Sequence, residues 1–360
     1  PNLKMVDVKD GDKITLGHFR VEFVHVNHNI PDDLSLFIKT PTGNIFFTSD
    51  FKFDPTPIYD KPADLNKFKS IGDEGVLCLL ADSTGAENAG TSISEKTIQN
   101  NLEDIFKQAK KKIISATFAS LITRMQQIIT LSEKYGRKVI IDGYSMKTNF
   151  AIARELGYIK IKQHTLISSG QIHEYPPDKI TVLCTGAQGE GSAVLMRIAN
   201  KEHKSIHIEK GDAIIFSSSV IPGNERTVQF LKDTLYRQGA EVFHYKMMDI
   251  HAGGHAQRDD LRKMINLIRP KFFIPVHGYH SMLFNHAAIA REEGMKDDQI
   301  IVAENGQIIS IAKSGFSIDK KTVPVNHIMV DGLGVGDVGA VVLRDRQLMS
   351  KDGMFVVIVV

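Results

Sequence analysis

Several residues of metal-ligating type stand immediately after apolar, strand-like runs. His25 and His28 flank the end of one, in His25-Val26-Asn27-His28-Asn29-Ile30-Pro31-Asp32. Asp50 closes Phe46-Phe47-Thr48-Ser49-Asp50, and Asp82 closes Leu79-Leu80-Ala81-Asp82. His277 closes Phe272-Phe273-Ile274-Pro275-Val276-His277. One such residue alone reads as a surface or capping group. Several together describe a rim of imidazole and carboxylate donors, a set suited to zinc or manganese. A metal held there lowers the pKa of bound water for attack on phosphorus. A second His-rich stretch, His251-Ala252-Gly253-Gly254-His255, precedes a helical pattern. Its glycines let backbone approach a ligand, and His255 can act as an acid or base near neutral pH. His251 reads equally as a loop residue.

Three loops have the composition of anion sites. Thr185-Gly186-Ala187-Gln188-Gly189-Glu190-Gly191 follows a strand and opens a helix, where free backbone N–H groups and the helix dipole favour an anion. It has no Lys-Ser/Thr closure and is no Walker A loop; a glycine-requiring turn explains it equally. Ser217-Ser218-Ser219 with Pro222-Gly223-Asn224 follows the next strand. Two such loops at neighbouring strand ends suggest a phosphate-lined crevice. Thr117-Phe118-Ala119-Ser120 with Arg124 forms the third. Ser120 reads as a helix cap or a ligand, Arg124 as a phosphate contact, and Phe118 as core or a base-stacking face.

Strands must carry these groups to one place. Residues 13–26 alternate as a hairpin, with strands following over Leu34–Lys39, Ile45–Thr48 and Val76–Ala81. The pattern then changes. Strands at Lys112–Ala116, Lys138–Asp142, Thr181–Cys184, Ala213–Phe216 and Glu241–His244 alternate with helices at Ser94–Lys110, Leu121–Tyr135, Thr148–Leu156, Gly191–Ala199, Glu225–Gln238 and Asp259–Leu267. Alternation of this kind predicts a parallel sheet covered on both faces. A strand at Lys271–Val276 and a helix at Phe284–Glu293 come next. Short β segments are expected at Ile300–Val302, Gln307–Ile311, His327–Val330, Gly339–Arg344 and Met354–Val360. The expected architecture is one α/β domain inserted in another, whose two parts meet in space.

Composition sets the outer limits. The chain has 360 residues and a formal net charge of +2, with 42% hydrophobic and 24% charged residues. Those values exclude disorder and collagen-like repeats, and no apolar run reaches the length of a membrane span. The small charge gives no bulk attraction to nucleic acid or anionic lipid. Two cysteines, Cys78 and Cys184, make no disulfide scaffold and point to a reducing cytoplasm. The chain starts at Pro1 and stops within Phe355–Val360, so it reads as a piece of a longer one.

These motifs resemble the ribonuclease J family of the metallo-β-lactamase superfamily, with its β-CASP insertion. The resemblance covers essentially the whole chain. The segment 26–32 is similar to the family's third metal motif, which implies that His28 is a ligand; 48–54 is similar to the fourth, implying that Asp50 bridges two metals. Asp82, in Ala81-Asp82-Ser83-Thr84, matches β-CASP motif A. Gly253-Gly254-His255-Ala256 resembles motif B, implying that His255 contacts the scissile phosphate or assists proton transfer. Pro275-Val276-His277-Gly278 resembles motif C, implying that His277 is the last ligand. Asp331 matches a position tied to a structural cation, taken as calcium. The resemblance further implies RNA contacts from Ala119, Ser120, Leu121, Arg124, Ser218 and Ser219, and a nucleotide pocket at His251, Ala252, Gly253, Gly254 and His255.

The chain also departs from the family pattern. Gly253 stands where a serine is expected, and Leu121 where an asparagine is. No His-x-His-x-Asp-His string occurs, and it is expected upstream, just as a small C-terminal domain is expected downstream. The implied fold is α/β: a partial metallo-β-lactamase αββα sandwich (1–92 and 269–360) with an inserted parallel β-CASP domain (93–268). The implied activity is hydrolysis of single-stranded RNA by metal-activated hydroxide, from the 5′ end and internally, in rRNA processing and mRNA decay. The catalytic groups would be Asp50, Asp82 and His255. Two Zn2+ ions (or Mn2+ or Mg2+) are implied, in a cytoplasmic homodimer or homotetramer with no membrane association. Two alternatives stay open: an inactive RNA-binding or assembly subunit, and another β-CASP nuclease acting on DNA.

Overall fold

Alternation over residues 13–26 becomes a hairpin, β1 (Lys13–Leu16) and β2 (Phe19–His25). It begins a six-stranded sheet in the computed structural model, which describes residues 5–326, 328, 330–331, 334–335 and 340–352. Strands β3 (Leu34–Lys39) and β4 (Asn44–Phe47) continue it antiparallel. Helix α1 (Leu65–Glu74) then crosses to β5 (Cys78–Asp82), which runs parallel to β4. The sequence reading missed α1. Its N-terminus is set by Asp64, whose carboxylate accepts from the Asn66 and Lys67 N–H groups, and it buries Phe68 and Ile71.

Residues 95–244 build the second sheet. In chain order its elements are α2 (Glu95–Gln108), β6 (Ile113–Ala116), α3 (Ile122–Lys134), β7 (Lys138–Asp142), α4 (Tyr144–Glu155), β8 (Ile180–Cys184), α5 (Val194–Ala199), β9 (Ala213–Phe216), α6 (Glu225–Arg237) and β10 (Glu241–His244). The order is β10-β9-β6-β8-β7, and every pairing is parallel. Alternate strand residues feed opposite faces. Ile113, Val139 and Ile215 pack with α2, α3 and α4, whereas Ile114, Ile140 and Ile214 pack with α5 and α6. Both faces are thus buried, which explains the unbroken apolar runs.

Helix α7 (Arg258–Ile268) returns the chain to the first sheet, burying Leu261, Met264 and Ile265 with Phe68 and Ile71. Strand β11 (Phe272–Val276) adds to β5 in parallel as the edge strand, a place where Pro275 is tolerated. Helix α8 (His280–Glu292) packs behind it. The first sheet is therefore β1-β2-β3-β4-β5-β11, made of segments nearly two hundred residues apart.

Residues 1–302 form one compact unit and 303–360 a second. The second contains the hairpin β12 (Gln307–Ala312) and β13 (Gly315–Thr322), the short pair β14 (Val330–Asp331) and β15 (Gly334–Val335), and helix α9 (Ala340–Asp352). Two expectations change. Residues 300–302 make only a single bridge, Ile300 to Phe273. The expected strand at 339–344 gives way to α9, because the two valines that suggested it lead into Leu343, Arg344, Gln347, Leu348 and Met349, all good helix formers. His327, Met329 and 353–360 lie outside the described residues, as does the side chain of Asp331.

Candidate metal centre

Strand direction gathers the candidate ligands. β2, β4, β5 and β11 all run the same way in the first sheet, so their carboxyl ends share one edge. Val276 pairs with Asp82, and Phe47 with Leu80. The residue after each strand end therefore reaches the same rim. Ser49 and His277 sit there with φ of 57° and 61°, a left-handed backbone that costs non-glycine residues on the order of 1–3 kcal/mol and recurs at functional sites.

Two donor triads result, His28/Asp50/His255 and Asp50/Asp82/His277, each with its ligand atoms within 4.8 Å of one another. Asp50 belongs to both. Its Oδ1 lies 2.8 Å from His277 Nδ1 and its Oδ2 3.8 Å from His28 Nε2. His28 Nδ1 is 2.8 Å from the Gly254 carbonyl, so the Nδ1–H donates there and Nε2 is left facing Asp50. Gly254 has to be glycine, since a Cβ there would stand 2.3 Å from the His28 ring.

Asp82 is almost fully buried, and three groups meet its carboxylate. His255 Nδ1 lies at 2.7 Å, while the Thr84 hydroxyl and N–H donate at 2.6 and 3.0 Å. Burial alone would raise the Asp82 pKa, but the bonds from His255 and Thr84 hold it below the usual carboxylate range. Burial alone would lower His255, but Asp82 holds it above the usual imidazole range. Behind Asp82, Ser83 Oγ lies 3.0 Å from Nδ1 of the fully buried His286.

Two triads of imidazole and carboxylate that share one carboxylate have the donor chemistry to hold divalent cations. His255, expected only at the phosphate, stands among the donors, and so does Asp82. His25 does not join them: its Nε2 is 3.0 Å from the Lys61 carbonyl and 3.4 Å from Asp60. A cavity of about 340 Å3 opens beside His28, bordered by Asp32, Lys52, Glu95 and Tyr158.

The expected substrate contacts are dispersed. His251 is buried next to Arg124, and burial followed by that charge pushes its pKa down to about 3; its Nδ1 has no hydrogen-bond partner. Ala252 is buried and Gly253 exposed. Ser120 is exposed, the Ala119 carbonyl accepts from Asn149, and Leu121 is buried at the cap position of α3. Ser218 is buried, and its hydroxyl together with the Ser219 carbonyl meets the Gln188 amide.

Arg124 corrects the sequence reading. It is 0% exposed, and its guanidinium is consumed inside the protein. It donates to Glu95 Oε2 at 2.9 Å, Gln127 Oε1 at 2.6 Å, the Ile250 carbonyl at 2.7 Å and the Ser217 hydroxyl. Glu95 Oε1 meets the buried Lys52 at 3.2 Å. Such an arginine ties elements together, and its full burial keeps it from reaching a phosphate in solvent. Glu95, Lys52 and Gln127 were not anticipated. Glu95 follows a capping Ser94 and carries the signature of an ordinary first-turn acid.

Comparison with known proteins agrees with this geometry. Residues 110–235 match the family model described as ribonuclease J, beta-CASP domain, and 245–302 match the Zn-dependent metallo-hydrolase RNA specificity domain. The chain is 39% identical to Ribonuclease J2 of Bacillus subtilis over 96% of its length. It is 40% identical to Ribonuclease J 1 of Streptococcus pyogenes over 97%, and 38% identical to Ribonuclease J of Thermus thermophilus over 99%. It spans 62% of the length of each of these relatives. A solved protein of unknown function from Enterococcus faecalis shares the fold, with a TM-score of 0.58 at 15% identity, covering 84% of this chain and 66% of that one. No helix among the described residues is long and apolar enough to cross a membrane. With its donor rim on one sheet and a parallel α/β sheet inserted between β5 and β11, the chain belongs to the ribonuclease J family of metallo-β-lactamase/β-CASP proteins.

Proposed function

We propose that this chain carries the catalytic core of a metal-dependent ribonuclease that hydrolyses phosphodiesters of single-stranded RNA, from the 5′ end and internally. The observation that carries the reading is Asp50, shared by two donor triads at the common edge of β4, β5 and β11. His28, Asp50, Asp82 and His277 would hold the ions, with zinc favoured by imidazole donors and manganese or magnesium as alternatives. When bound, such cations activate water and neutralise charge on phosphate oxygens. The protein's part is orientation. Gly254 fixes the His28 ring through its carbonyl, and Asp82 fixes His255 through Nδ1, leaving Nε2 of His255 to exchange a proton with the phosphate or leaving oxygen.

We assign residues 1–92 and 269–360 to the metallo-β-lactamase domain and 93–268 to the β-CASP domain; the two sheets support this up to residue 302, and 303–360 form a separate unit. The segment 251–254 and Ser120 are the assigned substrate contacts, and Asp331 a structural cation ligand. A reducing cytoplasm suits the free, buried Cys78 and Cys184. The test is metal content and RNA cleavage in the full-length protein. His255→Ala and His277→Ala should each abolish turnover of an RNA oligonucleotide, and unchanged cleavage by both would refute the reading. RNA binding with no bound metal would instead favour an inactive binding subunit, and preference for single-stranded DNA a different nuclease.

A further inference from the structure

A buried titratable group stands outside the donor set. His286, on α8, is 0% exposed, and its ring packs edge-on against Phe273 of β11, with centroids 4.7 Å apart. Burial pushes its pKa down to about 3, so the ring is neutral and carries a single N–H. Nδ1 lies 3.0 Å from Ser83 Oγ, while Nε2 has no hydrogen-bond partner among the described residues. These neighbours decide which nitrogen is protonated. With the hydrogen on Nδ1, the ring donates to Ser83 Oγ, and the Ser83 hydroxyl donates onward to the Ala81 carbonyl at 3.3 Å. Every hydrogen is then bonded, and only a lone pair is left over. With the hydrogen on Nε2, a buried N–H would go without an acceptor, which folded chains rarely tolerate.

Ser83 is the middle of the turn that follows β5. Its N–H donates to the Val276 carbonyl at 2.8 Å, and its own carbonyl accepts from the Ala86 N–H at 2.9 Å. On one side of it, Asp82 receives the Thr84 hydroxyl and N–H across the turn. On the other, Val276 is the last residue of β11 and precedes His277. A shift of Ser83 would therefore move Asp82, its Thr84 donors and the end of β11 together. A serine side chain offers little apolar contact to resist such a shift, so directional bonds must. We propose that His286 is a positioning residue for the metal centre: through Ser83 it locks the 82–84 turn, and with it the Asp82 carboxylate and the strand end that carries His277. An apolar side chain of similar size would fill the same space without holding that turn. The role rests on the reading of Asp82 and His277 as metal donors.

The experiment compares the full-length wild type with His286→Leu, His286→Asn, Ser83→Ala and the double variant Ser83→Ala/His286→Leu. Zinc affinity is read by competition with a chromophoric chelator, RNA cleavage as separate kcat and KM, and stability by urea unfolding. Leucine keeps the bulk and loses the bond, whereas the asparagine amide nitrogen can take the place of Nδ1. His286→Leu should weaken zinc by about tenfold, the lower end of what loss of an outer hydrogen bond does to a metal site, and kcat should fall with KM unchanged. His286→Asn should recover most of both. Ser83→Ala removes the same bond by deleting one oxygen atom, and should show the same losses even if the larger substitution fails to fold. The double variant should be no worse than the worse single one, because the two side chains act through one bond. If urea midpoints fall while zinc affinity and kcat of the folded variants stay at the wild-type values, His286 is merely structural and the proposal is overturned. A double variant whose zinc loss is the product of the single losses overturns it as well. If the variants lose zinc as expected but the wild type cleaves no RNA, the nuclease reading fails and the positioning role stands.

Discussion

Gly254→Ala should damage the metal centre although residue 254 donates nothing to a metal. A methyl group at that position would lie 2.3 Å from His28 Cε1, 2.4 Å from Nδ1 and 2.9 Å from the Asn29 amide carbon. Non-bonded carbon atoms settle at about 3.5–4.0 Å, so the imidazole must retreat by roughly 1 Å or more. It has little freedom to do so, because its Nδ1–H is bound to the carbonyl of the same glycine at 2.8 Å. Retreat breaks that bond, releases the tautomer and carries Nε2 off its line to Asp50, now 3.8 Å away. Losing an outer hydrogen bond of this kind lowers metal affinity by about 10–100-fold, or about 1.4–2.8 kcal/mol. A misplacement of about 1 Å can remove about a hundredfold of rate. Gly253→Ala is the control for zinc affinity, since its Cβ meets nothing nearer than the His255 nitrogen at 4.0 Å. The assay is competition for zinc against a chromophoric chelator, with initial RNA-cleavage rates on the same full-length samples. If Gly254→Ala binds zinc as tightly as Gly253→Ala and cleaves as fast as wild type, the proposed role of the His28–Gly254 contact is wrong.

Glu95 titrates at about 2 instead of 4.5: burial opposes ionisation, but Arg124 and Lys52 outweigh it. A depressed carboxyl stabilises the fold fully above its unfolded pKa and loses that contribution as pH falls from about 4.5 towards 2, by about 3 kcal/mol at most. Urea unfolding across that window should show the loss in wild type and a flatter profile in Glu95→Gln; matching slopes would contradict it. Arg124→Met strands a buried carboxylate and should cost about 3–5 kcal/mol in chemical denaturation; a raised KM for RNA at unchanged stability would restore it as a phosphate ligand. His25→Ala should lower the melting temperature while leaving metal content intact, because its ring bonds Lys61 and Asp60 rather than the donor triads; loss of a bound ion would show otherwise. Gly253→Ser should fold as wild type, given the open space at its Cβ, and a cooperative melt checks this.

The clustering of the candidate metal donors was legible because they obey a rule of position. An apolar run that ends in Asp or His marks a strand end, and parallel strands put their ends on one edge, so Asp50, Asp82 and His277 could be grouped without knowing strand order. The alternating block from 95 to 244 was legible for a similar reason, its helical and strand periods being distinct. Helix α1 was not. Its apolar positions are sparse among Lys67, Lys69, Asp73 and Glu74, and its stability comes from Phe68 and Ile71 buried against α7, which lies almost two hundred residues away. Arg124 was misread for a related reason. A cation one turn into a helix looks the same whether it faces solvent or an acid 29 residues upstream, and only the fold brings Glu95 and Ser217 to it.

That buried cluster bears on how the two sheets cooperate. Lys52 lies two residues beyond Asp50, Glu95 opens α2, Arg124 sits in α3, and Ser217 and Ile250 follow β9 and β10. A single connected set of charges and hydrogen bonds thus runs from the metal-donor loop into the inserted sheet. Buried ion pairs are poor sources of net stability, because desolvation offsets most of their attraction. Apolar side chains of equal volume would have filled the same space at no greater cost. What apolar packing cannot supply is direction: Arg124 accepts only one arrangement of Glu95, Gln127, Ser217 and Ile250, and Glu95 accepts only one position of Lys52. The cluster therefore specifies where the Asp50 loop lies relative to the inserted sheet. This is the relationship that the proposed substrate, spanning the candidate metal donors and the inserted domain's loops, would require to be fixed before it binds.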